Sequence, residues 1–119
     1  MSNQKTVQEE FESVVNTETM LRFWTTWAPG SDRPTWYVTL PSGREYILPA
    51  EPRLVGMPEV DRYVEQPDGW YGEHWRPMCI ARVRGELVVG NPGAIAAYRA
   101  GNVQGYYYRR RDYEDSHHD

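Results

Sequence analysis

Cysteine, long apolar runs and catalytic signatures are what this sequence is short of. Its 119 residues include one cysteine, Cys79, so no internal disulfide can staple the chain, and a reducing compartment, the cytoplasm, is the expected location. No stretch approaches the roughly 18 apolar residues that a membrane-spanning helix needs, so no membrane partner is expected. The opening MSNQKTVQEEFESV lacks the basic and then apolar order of a secretory signal. No serine occupies a Gly-x-Ser-x-Gly elbow. The three histidines, His74, His117 and His118, do not follow the ligand spacing of a structural zinc site. No catalytic residue, metal site or cofactor is therefore expected.

Aromatic residues, in contrast, are plentiful. Five Trp and nine Tyr, with 39% hydrophobic residues, exclude a disordered chain. The length suits one domain, and the pattern predicts a small α+β domain over 1–111 followed by an acidic, fraying tail over 112–119. The net charge of −4 conceals an uneven layout. Residues 1–75 carry six basic and twelve acidic side chains, whereas 76–111 carry seven arginines against Glu86 alone. The tail adds Asp112, Glu114, Asp115 and Asp119. Such a layout fits either a binding surface for an acidic partner or simple neutralisation within the fold.

Periodicity supplies the elements. Thr6 and Glu9 have capping-box spacing, and Val7, Phe11, Val14 and Val15 form one face of a helix. Alternation from Leu21 to Trp27 predicts a strand, and Trp36 to Leu48 a hairpin turning at Pro41-Ser-Gly-Arg44. Pro58 to Glu65 reads as a short helix with Pro in its first turn, and Gln66 to Pro77 as a long loop. Met78 to Val89 forms a second hairpin around Gly85. Asn91-Pro92 opens a short helix near 92–100 that Gly101 ends, and Tyr106 to Arg110 reads as a last strand. The whole is an N-terminal helix with an antiparallel sheet of about five strands in hairpins. A helix followed by an antiparallel meander resembles the cystatin-like layout, an analogy of fold that implies no function.

Two sets of candidate site residues stand out. Trp70, Tyr71, His74, Trp75 and Arg76 lie between glycines in the expected loop, and Trp, Tyr and Arg are the residue types that dominate protein–protein hot spots. The alternative for this cluster is that Trp70 and Trp75 fold back over a sheet face. Arg82 and Arg84 share strand parity with Arg76, Met78 and Ile80, so they are expected to line the outer face of the second hairpin. With Tyr107, Arg109 and Arg111 they form a candidate nucleic-acid surface, since bases stack on rings and phosphates meet guanidinium groups. The expected function is a non-enzymatic protein–protein binding module, of the kind found among accessory proteins of phages or mobile elements. Nucleic-acid binding through the 76–111 face is the first alternative, and a small enzyme with His74 as acid/base beside Glu73 or Asp68 is the second. Another protein is the expected partner, and an unpaired hairpin edge makes a homodimer an option.

Overall fold

A computed structural model describes residues 5–65, 67, 69 and 71–109 of the chain. Residues 112–119 and the end of the expected last strand lie outside this set. In chain order the elements are α1 (Val7–Val14), β1 (Arg22–Trp27), β2 (Thr35–Thr39), β3 (Glu45–Ile47), β4 (Arg53–Val55), β5 (Val60–Glu65), β6 (Tyr71–Trp75), β7 (Cys79–Val83), β8 (Glu86–Gly90), α2 (Pro92–Arg99) and β9 (Gly105–Tyr106). The capping box forms as expected. Thr6 Oγ1 accepts from the Glu9 amide at 3.0 Å, and Glu9 accepts from the Thr6 amide at 2.8 Å.

The α+β class holds: an N-terminal helix, a five-stranded antiparallel sheet and a short helix at Pro92–Arg99. The five-stranded sheet runs β3-β2-β1-β6-β5, and a second, mixed sheet runs β7-β8-β4-β9 with β4 and β8 parallel. This second sheet separates the chain from a single helix-and-meander layout. The sheets meet at a corner, where Leu21 and Met78 exchange backbone hydrogen bonds of 2.8 and 2.9 Å. Between them lies the main core of Phe11, Leu21, Phe23, Trp36, Val38, Leu54, Trp75, Met78, Ile80 and Val89. A second apolar layer, Val55, Cys79, Ala81, Val83, Val88 and Ile95, packs α2 on the other face of the second sheet. That sheet is thus buried on both faces, which is why Cys79-Ile80-Ala81 and Leu87-Val88-Val89 are unbroken buried runs. Close packing extends to Gly90, where an added Cβ would lie 2.6 Å from Val55 Cγ2 and 2.7 Å from the Val55 carbonyl oxygen.

Three expectations change. Val60–Glu65 is a strand, not a helix. Its residues pair with Tyr71–Trp75 with a register shift between Val60 and Arg62. The expected long loop from Gln66 to Pro77 accordingly contains a strand, β6, set between β1 and β5. The last strand is only two residues long and pairs with β4, which the pattern gave no sign of. Among the described residues, no helix is long and apolar enough to cross a membrane.

One polar cluster ties β4, β8, α2 and the chain after β9 together. Arg53 Nε and Nη2 donate to the two Glu86 carboxylate oxygens at 2.8 and 2.9 Å. The hydroxyls of Tyr107 and Tyr98 donate to the same carboxylate at 3.2 and 3.4 Å. The Arg53 guanidinium is the main reason that the Glu86 pKa falls from 4.5 to about 2, with the two hydroxyls adding to it and burial opposing. The folded pKa is depressed, so the contribution of Glu86 to stability is fully present above pH 4.5 and lost as pH falls towards 2. Urea unfolding of wild type and Glu86→Gln between pH 2 and 6 is expected to show a gap of about 1 kcal/mol at pH 6, a modest figure because the pair is partly solvated, that closes on acidification.

Candidate functional site

Pleat alternation divides most of the five-stranded sheet, although Thr26 on the outward phase is buried and Tyr71 on the inward phase is exposed. Phe23, Thr25 and Trp27 of β1 point inward, as do Trp36 and Val38 of β2 and Glu73 and Trp75 of β6. Arg22 and Trp24 point the other way. Register then builds one row across all five strands: Ile47, Tyr37, Trp24, His74 and Arg62. The three rings of this row stack. Trp24 and Tyr37 are 4.1 Å apart at 14°, and Trp24 and His74 are 6.2 Å apart at 14°. Trp24 Nε1 donates to Glu45 Oε1 at 3.0 Å, which pins the indole. Neither helix packs on this face, since α1 lies against β3 and α2 against β4, β7 and β8.

Beside the row is an open groove of about 540 Å³ whose lining includes Arg22, Trp24, Glu45, Asp61, Arg62 and His74. The Arg22 and Arg62 side chains are exposed and form no hydrogen bond or ion pair within the described residues. Burial lowers the His74 pKa below 6.5, and the nearby charges of Arg62 and Arg22 push it further down. His74 is therefore mainly neutral at pH 7, beside two guanidinium groups. Chemically, the face offers rigid rings, a hydrogen-bonding imidazole, two cationic forks and two carboxylates.

No family model, curated protein or solved structure matches this chain. Its function must be read from its own geometry.

The first expected set is divided by that geometry. Trp70 lies outside the described residues. Tyr71 is exposed and pairs with Trp27 on the inward side of the sheet. His74 belongs to the outward row. Trp75 is 2% exposed and stacks on Trp36 at 5.1 Å in the core. Arg76 is exposed and pairs with Glu59 at 3.1 Å. Glu73, next to His74 in sequence, is buried on the opposite face, where it accepts from Thr25 Oγ1 at 3.2 Å and from the Tyr108 hydroxyl at 3.1 Å. Glu73 and His74 thus form no dyad. Among the described residues, no three His, Cys, Asp or Glu side chains could share a metal ion.

The second set is dispersed. Met78 and Ile80 are core residues at 2% and 1% exposure, so the row they share with Arg82 is not an outer face. Arg82 reaches Glu12 of α1 at 2.6 Å. Arg84 donates to the Tyr98 and Arg99 carbonyls at the C-terminal end of α2 and lies over the Tyr98 ring at 4.9 Å. Tyr107 bonds Glu86, Arg109 pairs with Glu51, and Arg111 lies outside the described residues. The residues that periodicity missed are Arg22, Trp24, Tyr37 and Arg62. The available signal was an aromatic side chain on the polar phase of a strand, Trp24 between Arg22 and Thr26.

Core and surface tryptophans should respond differently to truncation. Trp75→Ala is expected to cost about 3–5 kcal/mol through lost burial and a cavity. Trp24→Ala should cost only about 1 kcal/mol, the scale of a cross-strand aromatic pair. Urea midpoints of the two variants read the difference directly.

Proposed function

We propose that this protein is a non-enzymatic protein-binding module whose working surface is the outer face of the five-stranded sheet. The observation that carries the reading is the stacked row Tyr37–Trp24–His74, flanked by the Arg22 and Arg62 side chains, which bond no other side chain among the described residues. Trp, Tyr and Arg are favoured at binding hot spots because rigid rings lose little entropy on contact and a guanidinium group offers several directed donors. Here the rings are pre-ordered by stacking and by the Trp24–Glu45 bond, so less freedom is left to lose.

The two other readings draw less support from the geometry. Base stacking needs a free ring face, but one face of Trp24 is covered by Tyr37 at 4.1 Å and the other is turned to His74. The arginines of 76–109 meet acids or carbonyls on separate parts of the surface instead of tracing one phosphate path. For acid/base chemistry, His74 has no hydrogen-bonded orienting group among the described residues, of the kind a catalytic imidazole uses.

The double variant Arg22→Ala/Arg62→Ala removes exposed, unpaired side chains, so its unfolding midpoint is expected to match wild type within about 0.5 kcal/mol. Affinity capture from the native host is expected to lose its bound protein at least tenfold with this variant. Capture that survives it would move the binding surface elsewhere. Salt-sensitive binding of an oligothymidylate probe by wild type would favour the nucleic-acid reading instead.

A further inference from the structure

The four sheet ends of this fold are not equivalent. β3 has three residues and β9 has two, too short to template much pairing. The outer edge of β7 is closed by Asn16, whose amide donates to the Ile80 carbonyl at 3.0 Å and whose Oδ1 accepts from the Arg82 amide at 2.9 Å. Asn16 sits at φ 69°, a conformation that asparagine tolerates better than most residues. β5 differs from all three. It has six residues, it ends the five-stranded sheet, and no strand lies beyond it among the described residues.

An open end strand of this length templates another strand unless its charges forbid it. For a second copy of this chain they do at the two registers that overlap β5 most fully. Two-fold pairing centred on Arg62 sets guanidinium against guanidinium, and pairing centred on Tyr63 brings Asp61 of one copy to the same end as Glu65 of the other. The same charges favour a partner of a different kind. Arg62 terminates the row Ile47–Tyr37–Trp24–His74–Arg62, so a strand added to β5 would set its own side chain directly beside that guanidinium group, about 5 Å away between Cβ atoms.

Arginine pairing elsewhere makes this position stand out. Arg44, Arg53, Arg76, Arg82 and Arg109 each hold a carboxylate. Arg84 holds backbone carbonyls, and Arg99 holds the Asn16 side chain at 2.8 Å. Of the described arginines without such a partner, Arg33 lies in the loop between β1 and β2, whereas Arg22 and Arg62 line the same groove. Glu45 in that groove is engaged by the Trp24 indole, and Asp61, at the β5 irregularity, forms no ion pair with either arginine.

We infer that β5 accepts, by strand addition, an extended segment of a partner protein that presents an acidic side chain opposite Arg62. Main-chain pairing would supply affinity, and Arg62 would select for charge. This rests on the protein-binding reading, and its test separates the two.

The test selects binders to the full-length protein from a random dodecapeptide phage library. Selected peptides are expected to alternate Asp or Glu with β-branched residues. A synthetic copy should bind Arg62→Glu at least tenfold more weakly than wild type, and a repeat selection on Arg62→Glu should return Lys or Arg at the acidic positions. Hydrogen exchange at the β5 amides should slow when the peptide binds. Matching circular dichroism and unfolding midpoints for Arg62→Glu and Arg62→Ala keep a folding defect from imitating the result. An empty selection, peptides indifferent to the charge at 62, or unchanged β5 exchange would each overturn strand addition. Should partner capture still depend on Arg22 and Arg62 in that event, the binding reading stands and only its geometry falls. Displacement of the peptide by oligothymidylate, with no charge preference among peptides, would overturn both.

Discussion

Leu21 and Met78 exchange both of their backbone hydrogen bonds where the two sheets meet, and much of the architecture follows from that contact. Only Arg76 and Pro77 separate β6 from Met78, so the chain must leave one sheet and enter the other almost at once. Trp75 and Met78 are thereby both drawn into the space between the sheets, each 2% exposed. With Trp75 facing in, pleat alternation turns His74 out, and register carries the same phase to Trp24 on β1 and Tyr37 on β2. The aromatic row on the open face is therefore a consequence of how the core is closed. A one-residue slip at the corner would bury the arginines and expose the tryptophans.

How far the fold could be read from sequence depended on how local the signal was. The Thr6/Glu9 capping box, the Asn91-Pro92 helix start and the two tight hairpins are encoded within a few residues, and all of them form. β5 and β6 are not encoded that way. β5 is largely exposed, so Val60 and Val64 have no regular apolar partners in sequence to mark a strand. In β6 the inward phase carries Glu73, a residue that alternation assigns to solvent, held in the core by the hydroxyls of Thr25 and Tyr108 from distant segments. The parallel pairing of β4 with β8 joins residues more than thirty positions apart, and three-residue β4 has no period to detect.

The site was legible in part for the same reason. His74 was visible because a histidine between aromatics is conspicuous, but its neighbours in sequence are not its neighbours in space. Trp75 faces the core, and the groove is completed by Arg22, Trp24 and Arg62 from strands that register brings together. Sequence clustering misled most over the arginines. The basic excess after residue 75 meets acids contributed by the first 75: Arg82 meets Glu12, Arg109 meets Glu51 and Arg76 meets Glu59. The lengthwise asymmetry is cancelled in part when the chain folds, and the two groove arginines without an ion pair among the described residues come from the acidic half.

Energetics explain how such a pair can persist. An exposed ion pair contributes about 0–1 kcal/mol, because water already solvates both charges and fixing two long side chains costs entropy. Leaving Arg22 and Arg62 without acids therefore sacrifices little stability. The two carboxylates drawn into the fold are held to a stricter rule: Glu73 receives two hydroxyl donors, and the partly buried Glu86 is held by Arg53, Tyr98 and Tyr107. The same chain thus partners its carboxylates where desolvation is expensive, although Thr26 Oγ1, Trp36 Nε1 and Trp75 Nε1 are buried with no hydrogen-bond partner among the described residues, and it leaves charge unpaired where that is cheap. Unpaired charge is concentrated beside a pre-stacked aromatic row and an end strand, where a bound segment could desolvate it and make the pairing worth more than it is in water.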